Sequence, residues 1–366
     1  MTAAARRSRG STVVFAPILG MVVLAFSWGR DIPPLLGAIV AIVLAGAVLA
    51  AVHHAEVVAL RVGEPFGSLV LAVAVTVIEV ALIVTLMLSG GAKAASLPRD
   101  TVFAAVMITC SGIVGLSLLL GALRSKVTMF NAEGTGAALA TVATLATLSL
   151  VMPTFTTSRP GPEFSSAQLA FAAVASLVLY GAFVLTQTVR NRDFFLPITS
   201  EGLVVEAEKH ADPPSARAAL ASLALLLVAL VAVVGLAKVE SPAIEAALAA
   251  AGLPASFVGV VIAMLVLLPE TLAASRNALR NRIQTSLNLA LGSAMASIGL
   301  TIPAIAFVSI WIDTPLLLGL NGTQMVLFAL TVVVAVLTVV PGRATRLQGT
   351  VHLVLLAAFL FLAINP

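Results

Sequence analysis

The sequence has 366 residues, of which 60% are hydrophobic and only 10% are charged, and its mean hydropathy is +1.13. No soluble domain of this length could bury so much apolar surface, so the composition excludes a water-soluble protein and indicates a polytopic membrane protein. The formal charge of +4 comes from basic residues scattered between apolar runs, a distribution that topology explains better than nucleic-acid binding does.

Eleven apolar runs are long enough to cross a hydrocarbon core of about 30 Å as helices. They lie at 13–28, 33–52, 66–89, 101–122, 134–152, 165–189, 218–237, 255–275, 285–310, 323–340 and 347–364. The first run has a basic lead like that of a signal peptide, but no convincing small-residue cleavage site follows, so we interpret it as a span. Turn signals such as Gly29, Pro98 and Ser241-Pro242 are expected between the runs.

The basic residues predict the orientation of these spans. If the N-terminus is cytoplasmic, fifteen of the 20 Lys and Arg residues lie on the cytoplasmic side. Under the positive-inside rule, this bias predicts a cytoplasmic N-terminus and an external C-terminus.

Two of the runs carry a lone carboxylate, Glu79 in the third and Glu270 in the eighth. Each lies thirteen residues beyond a phenylalanine, Phe66 or Phe257, so a shift of 191 positions superposes the two segments. A charge at the centre of a bilayer costs at least about 3 kcal/mol, so an acid at this depth suggests a functional site. A structural, hydrogen-bonded acid is the simpler alternative.

Equivalent spans three and eight are separated by five spans, an odd number, so they run in opposite directions. This pattern is typical of the inverted repeats of secondary transporters, whose substrate site lies near the midplane. The sequence thus predicts an all-α protein of about eleven transmembrane helices, with one leading helix and two inverted five-helix repeats. The predicted divisions are a tail and leading helix (1–32), a first repeat (33–189), a cytoplasmic linker (190–217) and a second repeat (218–366).

The linker carries four acids in its polar body. A simple hinge explains such a segment, but carboxylate oxygens also suit hard cations, so a cation-sensing role stays open. The four residues are Glu201, Glu206, Glu208 and Asp212.

Two ionised glutamates facing each other in a low dielectric would be costly, so protons or a cation must neutralise them. The pair could hold two protons, or release both and bind one divalent ion. These two states exclude each other, and this exclusion is the physical basis of antiport. Exchange of one Ca²⁺ for two H⁺ follows if the protein reorients only when the site is neutral.

Calcium prefers six to eight oxygen ligands, and two glutamates supply at most four. Pro269 has no N–H to complete a helix, so a carbonyl at Leu265 or Val266 is predicted to be freed. Thr76, one turn before Glu79, could add a hydroxyl oxygen or bond only within its own helix. The segments TCSGIVG and GSAMAS on the following helices contain Ser111 and Ser293, whose simplest role is close helix packing.

Other functional classes find less support. The sequence has no HExxH, GxSxG or phosphate-binding glycine loop, so an intramembrane enzyme lacks a recognisable motif. A channel would more naturally line its pore with repeated rings than with one inverted pair. The single cysteine, Cys110, excludes a disulfide framework or a thiolate metal site.

The chain resembles the calcium/cation antiporter superfamily, and within it the ChaA-type sodium (potassium) or calcium/proton antiporters. The residues that carry this likeness are HHAEVVALRVGEPFGSLVLAVAVTVIEVALIVTLM, LLPE at 267–270, RNRIQTSLNLALGSAMASIGLTIP and GRATRLQGTVHLVLLAAFLF. The resemblance covers nearly the whole chain. It implies a bacterial cytoplasmic membrane protein that exports Ca²⁺, or Na⁺ and K⁺, in exchange for H⁺. No cofactor is expected, and the partners are the bilayer and inorganic cations, not nucleic acid.

The resemblance also implies roles for individual residues. Glu79 and Glu270 would carry protons and the cation in turn, Ser111 and Ser293 would be supporting ligands, and backbone near Val75 and Val266 would supply carbonyl oxygen. Proton-coupled calcium exchangers carry Gly-Asn-x-x-Glu at both sites, where this chain has Val75-Thr76 and Val266-Leu267. The glutamine that the family carries in the second repeat's partner helix is also replaced in this chain, near Ala296. With fewer polar oxygens, exchange of monovalent ions only is the alternative.

Overall fold

The computed structural model of the chain describes residues 3–30, 32–63, 66–90, 94–198, 213–311 and 315–366. These residues are almost wholly helical, as the apolar runs predict. The helices, in chain order, are α1 (Ala3–Ser27), α2 (Pro34–Val62), α3 (Phe66–Gly90), α4 (Leu97–Met107), α5 (Val114–Ser125), α6 (Ala132–Ala146), α7 (Met152–Phe155), α8 (Ser166–Leu185), α9 (Ala216–Ala250), α10 (Phe257–Val266), α11 (Leu268–Leu279), α12 (Ile283–Val308), α13 (Gly322–Val339) and α14 (Arg346–Ile364).

The chain divides into two compact units. The first comprises Met1–Ala94 and Ala211–Val258, and the second comprises Ala95–His210 and Gly259–Pro366. Helices α1, α2, α3 and α9 therefore form the first unit, and the remaining helices form the second. Glu79 belongs to the first unit and Glu270 to the second.

Within the first unit, α2 and α9 pack along each other, and α1 and α3 each pack against both. Small residues permit this close approach. A Cβ added to Gly20 of α1 would lie only 3.0 Å from the Cβ of Ala232 on α9. Van der Waals packing of this kind is the main force between helices in lipid, where the surroundings are as apolar as the side chains.

The ends of two helices in this unit differ from the predicted spans. The prediction that α9 ends at Ala237 is wrong, since the helix continues through Pro242 to Ala250. Pro242 removes one hydrogen bond, to the Lys238 carbonyl, but the alanine-rich segment around it favours helix strongly enough to continue it. The Ser241-Pro242 pair is thus helical and not a turn.

Helix α2 likewise runs beyond the predicted end at residue 52, as far as Val62. Its final ten residues include HHAE, a polar segment that sequence hydropathy places outside the span. The helix ends at Gly63, which adopts a φ of 75° and donates its N–H to the Ala59 carbonyl. A positive φ is strained for most residues, so glycine is the expected residue at this C-terminal position.

In the second unit, α12 is the central helix, and α4, α5, α6, α8 and α11 all pack against it. Three of the predicted spans contain a wider π-helical turn. These turns are Ile108–Ile113 between α4 and α5, Thr147–Val151 between α6 and α7, and Thr186–Arg190 after α8. Strands β1 (Val127–Met129) and β2 (Arg343–Thr345) pair antiparallel and join the loop after α5 to the loop before α14.

A chain of partly buried polar contacts fixes the start of α6 against α12. The Asn131 N–H donates to Oε1 of Gln284 at 2.6 Å, and Nε2 of Gln284 donates to Oδ1 of Asn288 at 2.9 Å. Nδ2 of Asn288 then donates to the carbonyl of Phe195 at 2.7 Å. Because buried polar groups are costly when unpaired, this chain holds the three segments in one register.

The helix lengths agree with a polytopic membrane protein. Among the described residues, nine continuous helices are long and apolar enough to cross a bilayer, where α4 with α5 and α6 with α7 each count as one helix joined by a π-helical turn. Helices α10 and α11 form a further pair bent by 52°. The apolar part of α1, Val14–Ser27, is shorter. If the bent pair is counted as one span, the described residues contain ten, close to the predicted eleven, and α1 as a further span stays a prediction. The division into two inverted repeats stays a prediction.

Candidate ion-binding site

Glu79 lies in the fourteenth position of the 25-residue helix α3, and its side chain is only 2% exposed. Its neighbours one turn away, Thr76 and Leu82, are also buried, whereas Val73 and Val77 are exposed. Since residues three or four apart share one helix face, Thr76 and Glu79 lie on the buried side of α3. The role of Thr76 as a ligand stays a prediction.

Glu270 has a different local setting, because it lies in the first turn of α11, directly after the bend. Its side chain is 9% exposed. Helix α10 ends at Val266, and Pro269 occupies one of the first two positions of α11. The N-terminus of a helix carries a partial positive charge, so this position favours a carboxylate.

The bend at Pro269 interrupts the backbone hydrogen bonds as the sequence predicts. The Leu267 N–H still bonds to the Ala263 carbonyl at 2.9 Å, and the Leu267 carbonyl accepts from both the N–H and the Oγ1 of Thr271. Between these bonds, Pro269 offers no N–H to the Leu265 carbonyl. Backbone carbonyl oxygens at the end of α10 therefore lie next to the turn that carries Glu270. Their role as ion ligands stays a prediction.

We expect Pro269→Ala to restore the missing N–H, straighten the bent pair and lower the rate of ion exchange about tenfold. Thermal stability should stay equal or rise slightly, because alanine is a good helix former and proline in the first turn of a helix costs little. Initial transport rate and melting temperature of the same preparation separate the two effects. Pro303→Ala is the control, because Pro303 lies inside the continuous helix α12. A Pro269→Ala rate equal to wild type would show that the bend is not needed.

Ser111 and Ser293 lie in the same unit as Glu270. Ser111 is fully buried in the π-helical turn between α4 and α5, and its Oγ lies 3.4 Å from Oγ1 of Thr331 on α13. Ser293 is partly exposed on α12. Sequence patterns did not predict the π-helical turn, although such turns recur at functional sites. Roles of the two serines in ion binding stay predictions.

The remaining predicted residues divide between the units and the linker. Val75 lies on α3 with Glu79, and Val266 ends α10. The pairing of Glu79 with Glu270 across the two units stays a prediction. Four predicted acids lie outside the described residues, namely Glu201, Glu206, Glu208 and Asp212.

Sequence reasoning missed a further buried acid, Glu240 on α9, which is 5% exposed. The predicted end of this span at Ala237 placed Glu240 in a loop. Asp100 is buried too, but it pairs with Arg99 at 2.8 Å and accepts from Ser96. Within the described part of the chain, no three His, Cys, Asp or Glu side chains converge on a possible metal site.

Known proteins share both the sequence and the fold of this chain. The family model described as "Sodium/calcium exchanger protein" matches residues 32–189 and 221–365. The chain is 45% identical over 357 residues to the protein y4hA of Sinorhizobium fredii, covering 96% of this chain and 95% of that protein. It is 34% identical over 358 residues to the sodium-potassium/proton antiporter ChaA of Escherichia coli, covering 97% and 96%.

Among solved structures, that of the H⁺/Ca²⁺ exchanger CAX superposes with a TM-score of 0.70, covering 97% of this chain and 88% of that one, at 14% identity. At this identity the likeness concerns the fold. The matches confirm the resemblance to the calcium/cation antiporter superfamily, and they show a multi-pass membrane transporter, not an enzyme. The chain belongs to the sodium/calcium exchanger protein family.

Proposed function

We propose that this chain is a secondary active cation/proton antiporter that exports Ca²⁺, or Na⁺ and K⁺, in exchange for H⁺. Glu79 and Glu270 would form its alternating site. The observation that carries the proposal is the burial of both acids at corresponding positions of two apolar segments. Acids so deep in membrane helices are costly, and their most frequent use is in ion or proton transport.

The chemistry follows from what two carboxyl groups can hold. With two protons bound, the pair is neutral, and with two protons released it can balance one divalent cation. A monovalent cation would leave one proton behind, so the same pair could also exchange Na⁺ or K⁺ for a single H⁺. Because a charged site is costly to move through a low dielectric, the protein would reorient only when the site is neutral.

The known relatives support this proposal. ChaA is named as a sodium-potassium/proton antiporter and CAX as an H⁺/Ca²⁺ exchanger, so both couple a cation to protons. The two segments matched by the family model, 32–189 and 221–365, each contain one of the two acids. An inverted repeat would place these acids near the membrane midplane.

Exchange of monovalent ions only is a second candidate, and the side chains before Glu270 favour it. Val266 and Leu267 are buried and apolar, so they add no side-chain oxygen to the site. Ca²⁺ prefers six to eight oxygens, and here they would have to come from the two carboxylates, Thr76, serines, backbone and water. A smaller oxygen set suits an ion of lower charge.

We place the transporter in a bacterial cytoplasmic membrane, with its N-terminus in the cytoplasm and its C-terminus outside. The excess of basic residues on the predicted cytoplasmic side supports this orientation. In this arrangement the proton gradient would drive cations out of the cell.

The test is a measurement of pH inside sealed vesicles that contain the purified protein. Ca²⁺, Na⁺ and K⁺ are added one at a time to vesicles loaded with acid, and proton release is recorded for each. We expect proton movement opposite to the cation, which stops when the proton gradient is collapsed. Cation flux at channel-like rates without opposing proton movement would refute antiport, and a response to Na⁺ and K⁺ alone would select the monovalent candidate.

A further inference from the structure

Glu240 is a buried acid in the first unit that the proposed exchange site does not include. It lies on α9, ten residues before the end of the helix at Ala250, and its side chain is 5% exposed. Among the described residues, its Oε2 is buried and has no hydrogen-bond partner. An ionised carboxylate in such a place costs several kcal/mol, so the group is better accommodated as a neutral acid.

The carboxyl group faces the first turn of α2. A Cβ added to Gly37 would lie 3.6 Å from Oε1 of Glu240, so the carboxyl rests against the bare backbone of that turn. The N-terminus of a helix carries about half a positive charge, which stabilises a nearby anion. Burial thus favours the protonated acid, and the α2 terminus lowers the cost of losing the proton.

Among the described residues, the charged groups near Glu240 leave it without a counter-ion. On α9 itself, Lys238 is exposed with its Nζ 5.1 Å from the ring centroid of Trp28, and Glu245 is exposed and accepts from Ser241 at 3.3 Å. The apolar part of α1 carries no ionisable side chain, α2 carries none before His53, and α3 carries only Glu79. Arg30, between α1 and α2, is exposed.

We propose that Glu240 is a further proton-binding site, which holds a proton while buried and exchanges it with the solution at the Trp28 end of the first unit. This site would bind a metal cation poorly, because one carboxylate and Ser241 supply far fewer than the six to eight oxygen ligands that Ca²⁺ requires. A proton needs only one oxygen.

Glu240 is a titratable group on α9, which packs against α3, the helix that carries Glu79. Its role in transport rests on the proposed antiport function. Under the predicted orientation, the Trp28 end faces the outside, where protons would enter during cation export. Glu240 would then make the exchange rate depend on the external pH.

The first test measures protonation without transport. Dicyclohexylcarbodiimide modifies carboxyl groups that are protonated and shielded from water, and mass spectrometry assigns the adduct to individual residues. We expect the full-length protein to be labelled at Glu240 at about pH 6, at least about fivefold less at about pH 9, and not at Glu245, which is exposed. Absence of labelling at Glu240, or equal labelling at both pH values, would overturn the proposal.

Added Ca²⁺ or Na⁺ provides a further discrimination in the same experiment. A proton site should be labelled equally with and without the cation, whereas a cation ligand would be protected. Protection of Glu240 by either ion would therefore overturn its assignment as a proton site. Because labelling needs no ion exchange, a failure of the antiport assay leaves this result interpretable.

The second test compares exchange rates of Glu240→Gln and Glu245→Gln in vesicles of known orientation. Glutamine matches the size of the protonated acid and cannot release a proton. We expect Glu240→Gln to lower the change in rate between about pH 6 and about pH 8 on the Trp28 side at least threefold, and Glu245→Gln to retain the wild-type profile. A Glu240→Gln profile that superposes on wild type would contradict the proposal even where antiport is intact.

Discussion

Glu79→Gln and Glu270→Gln are each expected to reduce cation-driven proton release about 100-fold or more. An amide of the same size can neither release a proton nor balance a cation, so either change leaves the neutral exchange cycle incomplete. Removing one charge from a buried ionic site costs about 3 kcal/mol, which corresponds to this factor. Both residues are buried, and glutamine preserves their volume, so the protein should still fold. The measurement is the pH change in sealed vesicles after addition of Ca²⁺, Na⁺ or K⁺.

The matched control is Glu133→Gln, because Glu133 is an exposed acid in the first turn of α6. Its rate should equal that of wild type. Glu79→Asp and Glu270→Asp keep the charge but shorten the side chain, so they should retain more activity than the amides. Exchange that persists in either Gln variant would remove that acid from the proposed site.

Gly349→Ala is expected to destabilise the second unit. Gly349 of α14 faces α5 so closely that an added Cβ would lie 2.6 Å from the backbone nitrogen of Leu119. A backbone atom cannot rotate away as a side chain can, so the two helices must separate. Overpacking typically costs about 1 to 3 kcal/mol, and a contact with backbone belongs at the upper end. Thermal unfolding in detergent should show a lower melting temperature and a smaller folded yield.

Gly181→Ala is the control for the glycine prediction, since nothing lies within 4 Å of a Cβ added at this position of α8. Alanine favours a helix over glycine by about 1 kcal/mol, so this variant should be as stable as wild type or slightly more stable. If Gly349→Ala melted at the same temperature as Gly181→Ala, close packing of α5 and α14 would not limit the stability of the unit.

Much of the fold could be predicted because lipid imposes a simple rule on sequence. A segment must be apolar and about 20 residues long to span the core, so the start and end of α3, α12, α13 and α14 agree with the apolar runs within about two residues. Hydropathy does not predict where a helix ends outside the hydrocarbon core, because a segment there need not be apolar. This explains why α2 and α9 extend ten or more residues beyond their predicted ends.

The candidate site was predictable in part for a related reason. A lone acid in an apolar run is easily recognised, so sequence alone selects Glu79 and Glu270. Pro269 predicts a freed backbone carbonyl, whereas the 52° bend itself was not predicted. The π-helical turn at Ile108–Ile113 has no comparable signal, because it inserts one residue without changing composition. Glu240 was not predicted as a buried acid, because it lies just beyond an apolar run, where acidic residues are common.

The bend between α10 and α11 bears on the resting state of the transporter. In an inverted repeat, the inward-facing and outward-facing forms exchange the roles of the two halves, so identical halves would make the two forms equal in free energy. Here one acid lies on the unbroken helix α3 and the other follows a 52° bend. If the two predicted repeats form these halves, they are mechanically unequal, and without a driving gradient the population should be biased toward one facing form.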